Sequence, residues 1–169
     1  AQRKIERILK INPRRPEAWA YRAVMAHLQN DPRGEAVFHG MAQGLWRKNP
    51  QVEHLIGKKL SQKYRFAEGT IYQRRALEFV PDYLHARIQL SQDLLRLGEE
   101  EEGWMLAEAV HTADGYEVTT FNLVELHDQI ARFRTLENDN FVLRMESREA
   151  EIYGKPVLAL LDRAKETLC

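Results

Sequence analysis

Six histidines, a run of four glutamates, three serines and one cysteine are the residues of this 169-residue chain from which chemistry could be built. His27, His39, His54, His85, His111 and His127 all lie 12 or more residues apart. No two therefore share the i, i+4 helical face that presents a pair of imidazoles to a metal ion. Ser61, Ser91 and Ser147 lack the strained G-x-S-x-G turn of a nucleophile, and Cys169 ends the chain with no base beside it. Glu99 to Glu102 are consecutive, so on a helix their carboxylates point in different directions and read as a solvated first turn favoured by the helix dipole. There is no glycine-rich phosphate cradle. The expectation is a chain with no catalytic residues, no metal site and no cofactor of its own.

The elements that would position any site follow from the stops. Asn12-Pro13, Asn49-Pro50, Val80-Pro81 and Asp114-Gly115 fall 37, 31 and 34 residues apart, a mean of 34. Between them apolar residues recur at helical spacing. Ile5, Ile8, Leu9 and Ile11 give an opening helix. Trp19, Ala20, Ala23, Val24, Ala26 and Leu28 give a second after Pro16, and Ala36, Val37, Met41, Leu45 and Trp46 give its partner, expected to run to Asn49. Val52, Leu55, Ile56 and Leu60, a Tyr64-Arg65 turn, and Phe66 to Phe79 make the next hairpin. Leu84 to Leu95, Gly98 and Trp104 to Val110 make a third. Gly69 and Gly103 both stand 12 residues before the closing stop, where a small residue lets two helices approach closely. Val118 to Ile130 supply one more helix, ending near Phe133.

A different pattern begins after that. Glu137 to Asn140 form a polar turn, Phe141 to Met145 read as a single strand, and Ser147 caps a last helix that Gly154 and Pro156 should kink or split. The domain division expected is 1–135 for the helical hairpins and 136–169 for the strand and helix of a second, truncated domain. A start without Met and an end in mid-helix pattern suggest an excised segment.

With 44% apolar residues the chain can bury a core, and it has no uncharged run long enough to span a membrane as a helix. Its formal net charge of +0 hides an asymmetry: residues 1–98 carry 18 basic against 9 acidic side chains, and residues 99–140 carry 2 against 11. Such a division can steer a partner or favour self-association of basic on acidic regions. Nucleic acid is disfavoured, because the basic half lacks regularly spaced aromatics.

The 34-residue mean period resembles the tetratricopeptide repeat. Trp19 and Ala23 match the aromatic and small positions of a first repeat, and Ala76 with Pro81 matches the closing pair of a second, while Ala107 and Gly115 depart from it. The resemblance implies an all-α solenoid of helical hairpins whose first helices line a concave surface. From helical phase, that surface should carry Ala20, Val24 and His27, then His54, Lys58 and Ser61, then His85, Ile88 and Gln92, and Asn122. Similar repeat domains use a Lys or Asn of this kind to hold a peptide backbone or terminal carboxylate, a role the resemblance implies for Lys58 and Asn122. The partner expected is a protein or extended peptide.

A second resemblance covers the later half. Leu84 to Gly98, Glu102 to Glu108, Asp114-Gly115-Tyr116, Phe121-Asn122-Leu123, and Thr135-Leu136 leading into Phe141 to Met145 are similar to bacterial proteins in which such repeats precede a gluzincin-type peptidase domain. It implies a non-catalytic recognition arm of a larger metallopeptidase, with any zinc in a domain beyond this chain. The alternative is a self-assembly module driven by the two charged regions.

Overall fold

Proline marks the start of three helices in the structure, a computed structural model that describes residues 2–168. After α1 (Gln2–Ile11), the helices α2 (Pro16–Leu28), α3 (Pro32–Ala42) and α4 (Pro50–Ser61) each begin on the proline, whose missing N–H is harmless in a first turn. Asp31 and Asn49 cap α3 and α4 by accepting from the backbone N–H of Gly34 and Gln51. Then follow α5 (Phe66–Phe79), α6 (Leu84–Leu97), α7 (Glu100–Ala113) and α8 (Val118–Ile130). Gly98 ends α6 at φ 83, a left-handed conformation that glycine adopts at little cost.

The chain divides into two compact units, one through Thr120 and one from Phe121. In the first, α2 packs on α3, α4 on α5 and α6 on α7 as hairpins, and the hairpins stack through α2 on α4, α5 on α6 and α4 on α6. Ala20, Ala23, Val24, Ala42, Val52, Ile56, Leu60 and Tyr72 form the core cluster, walled by Trp19, Leu28, Phe38 and Leu55. Full burial of a side chain such as Ile56 or Leu60 contributes about 1.5–3 kcal/mol. Close approach of α4 and α5 is made at Gly57 and Gly69: a Cβ on Gly57 would stand 2.8 Å from the Gly69 carbonyl oxygen. Ser91 and Gly103, 34 residues further on, repeat the device, with the Ser91 hydroxyl donating to the Gly103 carbonyl at 2.8 Å.

One second helix departs from its expected length and face. α3 ends at Ala42, not Asn49, and Val37, Met41, Leu45 and Trp46 are 51–66% exposed where the apolar pattern placed core. Gln43 turns inward there instead, exchanging bonds with the backbone N–H and C=O of Asn49 at 3.0 and 3.3 Å.

In the second unit, the strand expected alone has a partner. β1 (Arg134–Glu137) pairs antiparallel with β2 (Val142–Met145) in the register Arg134↔Met145 to Glu137↔Val142. The polar turn between them closes with Asn138 N–H donating to Phe141 O at 3.0 Å. α9 (Ser147–Leu168) runs unbroken through Pro156 rather than splitting at Gly154. Gly154 is buried against Leu136 of β1, so the glycine seats the hairpin on the helix instead of marking a break. Asp162 accepts from the side-chain amides of Asn138 and Asn140 at 2.8 and 3.1 Å, which ties the turn to the same helix.

Candidate functional site

Adjacent first helices α4 and α6, with the residues just before α8, enclose a groove of about 640 Å³. His54, Lys58, Ser61 and Gln62 line it from α4 and its end, His85, Ile88, Gln89, Gln92 and Arg96 from α6, Tyr64 and Phe66 from the turn into α5, and Glu117 and Thr119 from the start of α8. The period explains the assembly: His54, Lys58 and Ser61 lie on one face of α4, and His85, Ile88 and Gln92 on the facing side of α6. Six of the residues expected from phase are thus brought together.

The rest are not. Ala20 and Val24 are 0% and 6% exposed and belong to the core cluster, because α2 packs on both α3 and α4. His27 is held between two carboxylates, Nδ1 at 3.0 Å from Glu35 and Nε2 at 3.5 Å from Glu68. Asn122 is exposed on α8 in the second unit and is not a lining residue. Cys169 lies outside the described residues.

At one end of the groove three rings meet. The His54 and His85 centroids are 5.9 Å apart, and Tyr83, just before α6, meets them edge-on at 5.9 and 5.6 Å. Fully buried Gln73 of α5 donates its amide N–H to the His54 carbonyl at 3.2 Å, so its Oε1, 3.0 Å from His54 Nδ1, is an acceptor. This places the His54 proton on Nδ1 and leaves Nε2 open. Burial holds the His54 pKa below its ordinary value; the Gln73 bond opposes this, and Lys58 and His85 add to it. Burial likewise raises Tyr83.

Beneath the middle of the groove lies a carboxylate that helical phase did not single out. Asp93 is fully buried, accepting from Ser61 Oγ at 2.5 Å, Gln89 Nε2 at 3.0 Å and Arg96 Nη1 at 3.3 Å. Burial pushes its pKa up against those three bonds. The Ser61 hydroxyl hydrogen is engaged within the protein, with Asp93 at 2.5 Å and the Gly57 carbonyl at 3.0 Å, so Ser61 can offer a ligand only its oxygen as an acceptor. Arg96 extends past Asp93 over the Phe66 ring at 5.2 Å. Glu117, the one carboxylate in the lining, caps α8: burial pushes it up, but bonds from Thr120 and Thr119 prevail and hold it low.

Lys58 has no ion-pair partner among the described residues, so the groove presents an unpaired cation beside two imidazoles and three glutamines. Chemically this surface can donate hydrogen bonds to the carbonyls and carboxylates of an extended chain. Among the described residues no cluster of three or more His, Cys, Asp or Glu could hold a metal, and no helix is long and apolar enough to cross a membrane.

No protein-family model and no curated protein matches the chain. Solved structures do. The first TPR of Spaghetti (RPAP3) bound to HSP90 peptide SRMEEVD is 13% identical, with TM-score 0.54 over 68% of this chain and 94% of that one. MamA is 13% identical with TM-score 0.55 over 75% and 74%, and the type IV pilus biogenesis factor PilW 19% with 0.53 over 77% and 62%. The fold is that of tetratricopeptide repeats. On the tetratricopeptide fold, α4 and α6 are the first helices of successive hairpins, and the groove is the strip between them.

Proposed function

We propose that this tetratricopeptide unit is a non-catalytic scaffold that holds an extended segment of a protein partner in the groove between α4 and α6. The observation that carries the reading is the unpaired Lys58 in an open strip of hydrogen-bonding side chains, His54, Gln62, Gln89 and Gln92. The RPAP3 domain of the same fold is described as bound to an HSP90 peptide, which supports a segment as the occupant. The test is selection of binders from a displayed library of extended decapeptides, followed by anisotropy on the selected sequences. Lys58→Glu should weaken them at least about tenfold, the worth of one charge-assisted hydrogen bond of ~1.5 kcal/mol. Selected peptides that bind Lys58→Glu and Gln92→Ala as well as the wild type would sink it.

The wider role we assign is the positioning arm of a larger metallopeptidase, resting on the similarity of residues 84–145 to repeat regions that precede gluzincin domains. Division of the chain after Thr120 into a second unit of hairpin and helix is compatible with that architecture. About one zinc per chain in the intact parent, by elemental mass spectrometry, is the expected result, and none would overturn the assignment. Self-assembly is the second reading, favoured by the exposed row Val37, Met41, Leu45 and Trp46 and by the division of charge. A monomer by light scattering at low salt rejects it.

A further inference from the structure

We propose that His54 and His85 form a proton-linked subsite for carboxylates at one end of the groove. An acidic segment binding there draws a proton from solvent onto His54, and is held more tightly as pH falls. This rests on the reading of the groove as a segment-binding surface and names the chemistry of the segment.

The two histidines are 31 residues apart in sequence, yet the stacking of α4 on α6 sets their rings 5.9 Å apart. Every charge that faces them is positive or already engaged. On α4 itself, Lys58 stands one turn after His54. From α6 come His85 and, toward the other end, Arg96 with the buried Asp93, whose carboxylate accepts from Ser61, Gln89 and Arg96. α5 contributes neutral Gln73, and α2 gives no residue to the lining. Tyr83 keeps its phenol proton, since burial raises it. Glu117 is the sole carboxylate of the lining, and its oxygens accept from Thr119 and Thr120 at the start of α8. At this end of the groove a cation would meet Lys58 and two rings, and an anion supplies their counter-charge.

The atom that gains the proton is defined for His54. Gln73 holds the Nδ1 hydrogen, so protonation occurs at Nε2, and an imidazolium donating from Nε2 to a ligand carboxylate is the product. In the free protein, burial together with Lys58 and His85 keeps His54 neutral near pH 7. A carboxylate within about 4–6 Å raises the pKa of a cationic acid, commonly by a unit or more. The bound pKa then lies above the free one. Protons are taken up on binding, and affinity rises as pH falls from above the bound value to below the free value, where it levels off. One unit for one ring amounts to about tenfold in affinity.

The probe is a rhodamine-labelled aspartate decamer, whose dye does not titrate in this range and whose side chains stay mostly ionised down to about pH 5. Its anisotropy titration at about pH 5.5 and pH 7.5, at constant ionic strength, should show at least tenfold tighter binding in acid. Calorimetry in two buffers of different ionisation enthalpy should show net proton uptake near the neutral end. His54→Gln with His85→Gln, which keeps size and polarity but cannot titrate, should bring the pH ratio below about threefold. If circular dichroism shows that pair unfolded, His54→Gln alone serves, and it should cut the ratio measurably. Binding that Lys58→Glu abolishes but that is equal at both pH values overturns the subsite and leaves the groove. So does failure of the decamer to bind while library-selected neutral peptides do. Decamer binding indifferent to Lys58→Glu overturns the groove reading and the subsite together.

Discussion

His39→Ala should destabilise the first unit by about 2–3 kcal/mol, more than a half-exposed side chain usually commands. The reason is its partner. Glu53 on α4 is 0% exposed; its Oε1 accepts from His39 Nε2 at 2.6 Å and Gln43 Nε2 at 2.7 Å, and its Oε2 has no hydrogen-bond partner. Removing His39 leaves a buried carboxylate with one neutral amide to stabilise it. Breaking a fully buried pair costs about 3–5 kcal/mol, and a hydrogen bond to a charged group about 1.5–3. The His39 side chain is 28% exposed, so water can replace part of the loss and the lower range applies. At about 2–4 °C per kcal/mol for a chain of this size, the midpoint should fall by about 5–10 °C. Urea denaturation followed by far-UV circular dichroism measures the free energy, and a thermal melt the midpoint. Glu53→Gln in the His39→Ala background is the discriminating step, because the amide carries no buried charge. The double variant should be more stable than the sum of the single losses predicts, with a coupling of about 1–2 kcal/mol. A cost below about 0.5 kcal/mol for His39→Ala, or strictly additive losses, would refute the account of Glu53 as a buried carboxyl group held by this histidine.

Two glycine substitutions should separate. Gly69→Ala should cost about 1–3 kcal/mol, because its Cβ meets the Ser61 hydroxyl, which Asp93 holds in place, and lies 3.1 Å from the Gly57 carbonyl oxygen. Gly154→Ala meets only the flexible tip of Leu136 and should cost less, and equal losses in thermal melts would contradict this. Tyr72→Phe should cost about 1–2 kcal/mol in the same melts, since it strips the buried hydroxyl that donates from α5 to Glu35 of α3. Asp93 and His54 bend the pH profile in opposite senses. Burial raises the folded pKa of Asp93, so the folded state binds the extra proton and stability falls as pH rises through the window just above 3.8; Asp93→Asn should remove that fall. The folded pKa of His54 is lowered, so the unfolded state binds more protons and stability rises with pH through the window just below 6.5; His54→Gln should flatten that rise.

What the sequence revealed was local, and what it concealed was paired at a distance. Pro16, Pro32 and Pro50 start their helices whatever surrounds them, because a fixed φ and a missing N–H act within one turn. Phase on α4 and α6 was readable since their polar and apolar faces differ. On α2, alanines at 18, 20, 23 and 26 are all buried, and a helix so rich in small residues gives little sign of which face meets solvent. Val37, Met41 and Leu45 carry the period of a core helix, but no such period states whether a neighbour exists to cover it. β1 escaped because Arg134-Thr135-Leu136-Glu137 holds a single apolar residue; its strand character comes from the Leu136↔Leu143 pairing. Glu53, Gln73 and Asp93 were invisible for a further reason. A polar residue in a helix reads as solvated, and only the fold supplies the His39, His54 and Ser61 groups that make its burial tolerable.

The Ser61–Asp93 bond bears on more than the stability of its two helices. It joins the end of α4 to the middle of α6, so the two walls of the groove are tied across its floor by a short bond shielded from water. A slot whose jaws are clamped in this way cannot widen for a bulkier guest without uncovering a carboxylate. Selection between guests then falls on the guest, which must arrive already thin and extended. The receptor, having little freedom left to surrender, adds little entropic cost to the encounter.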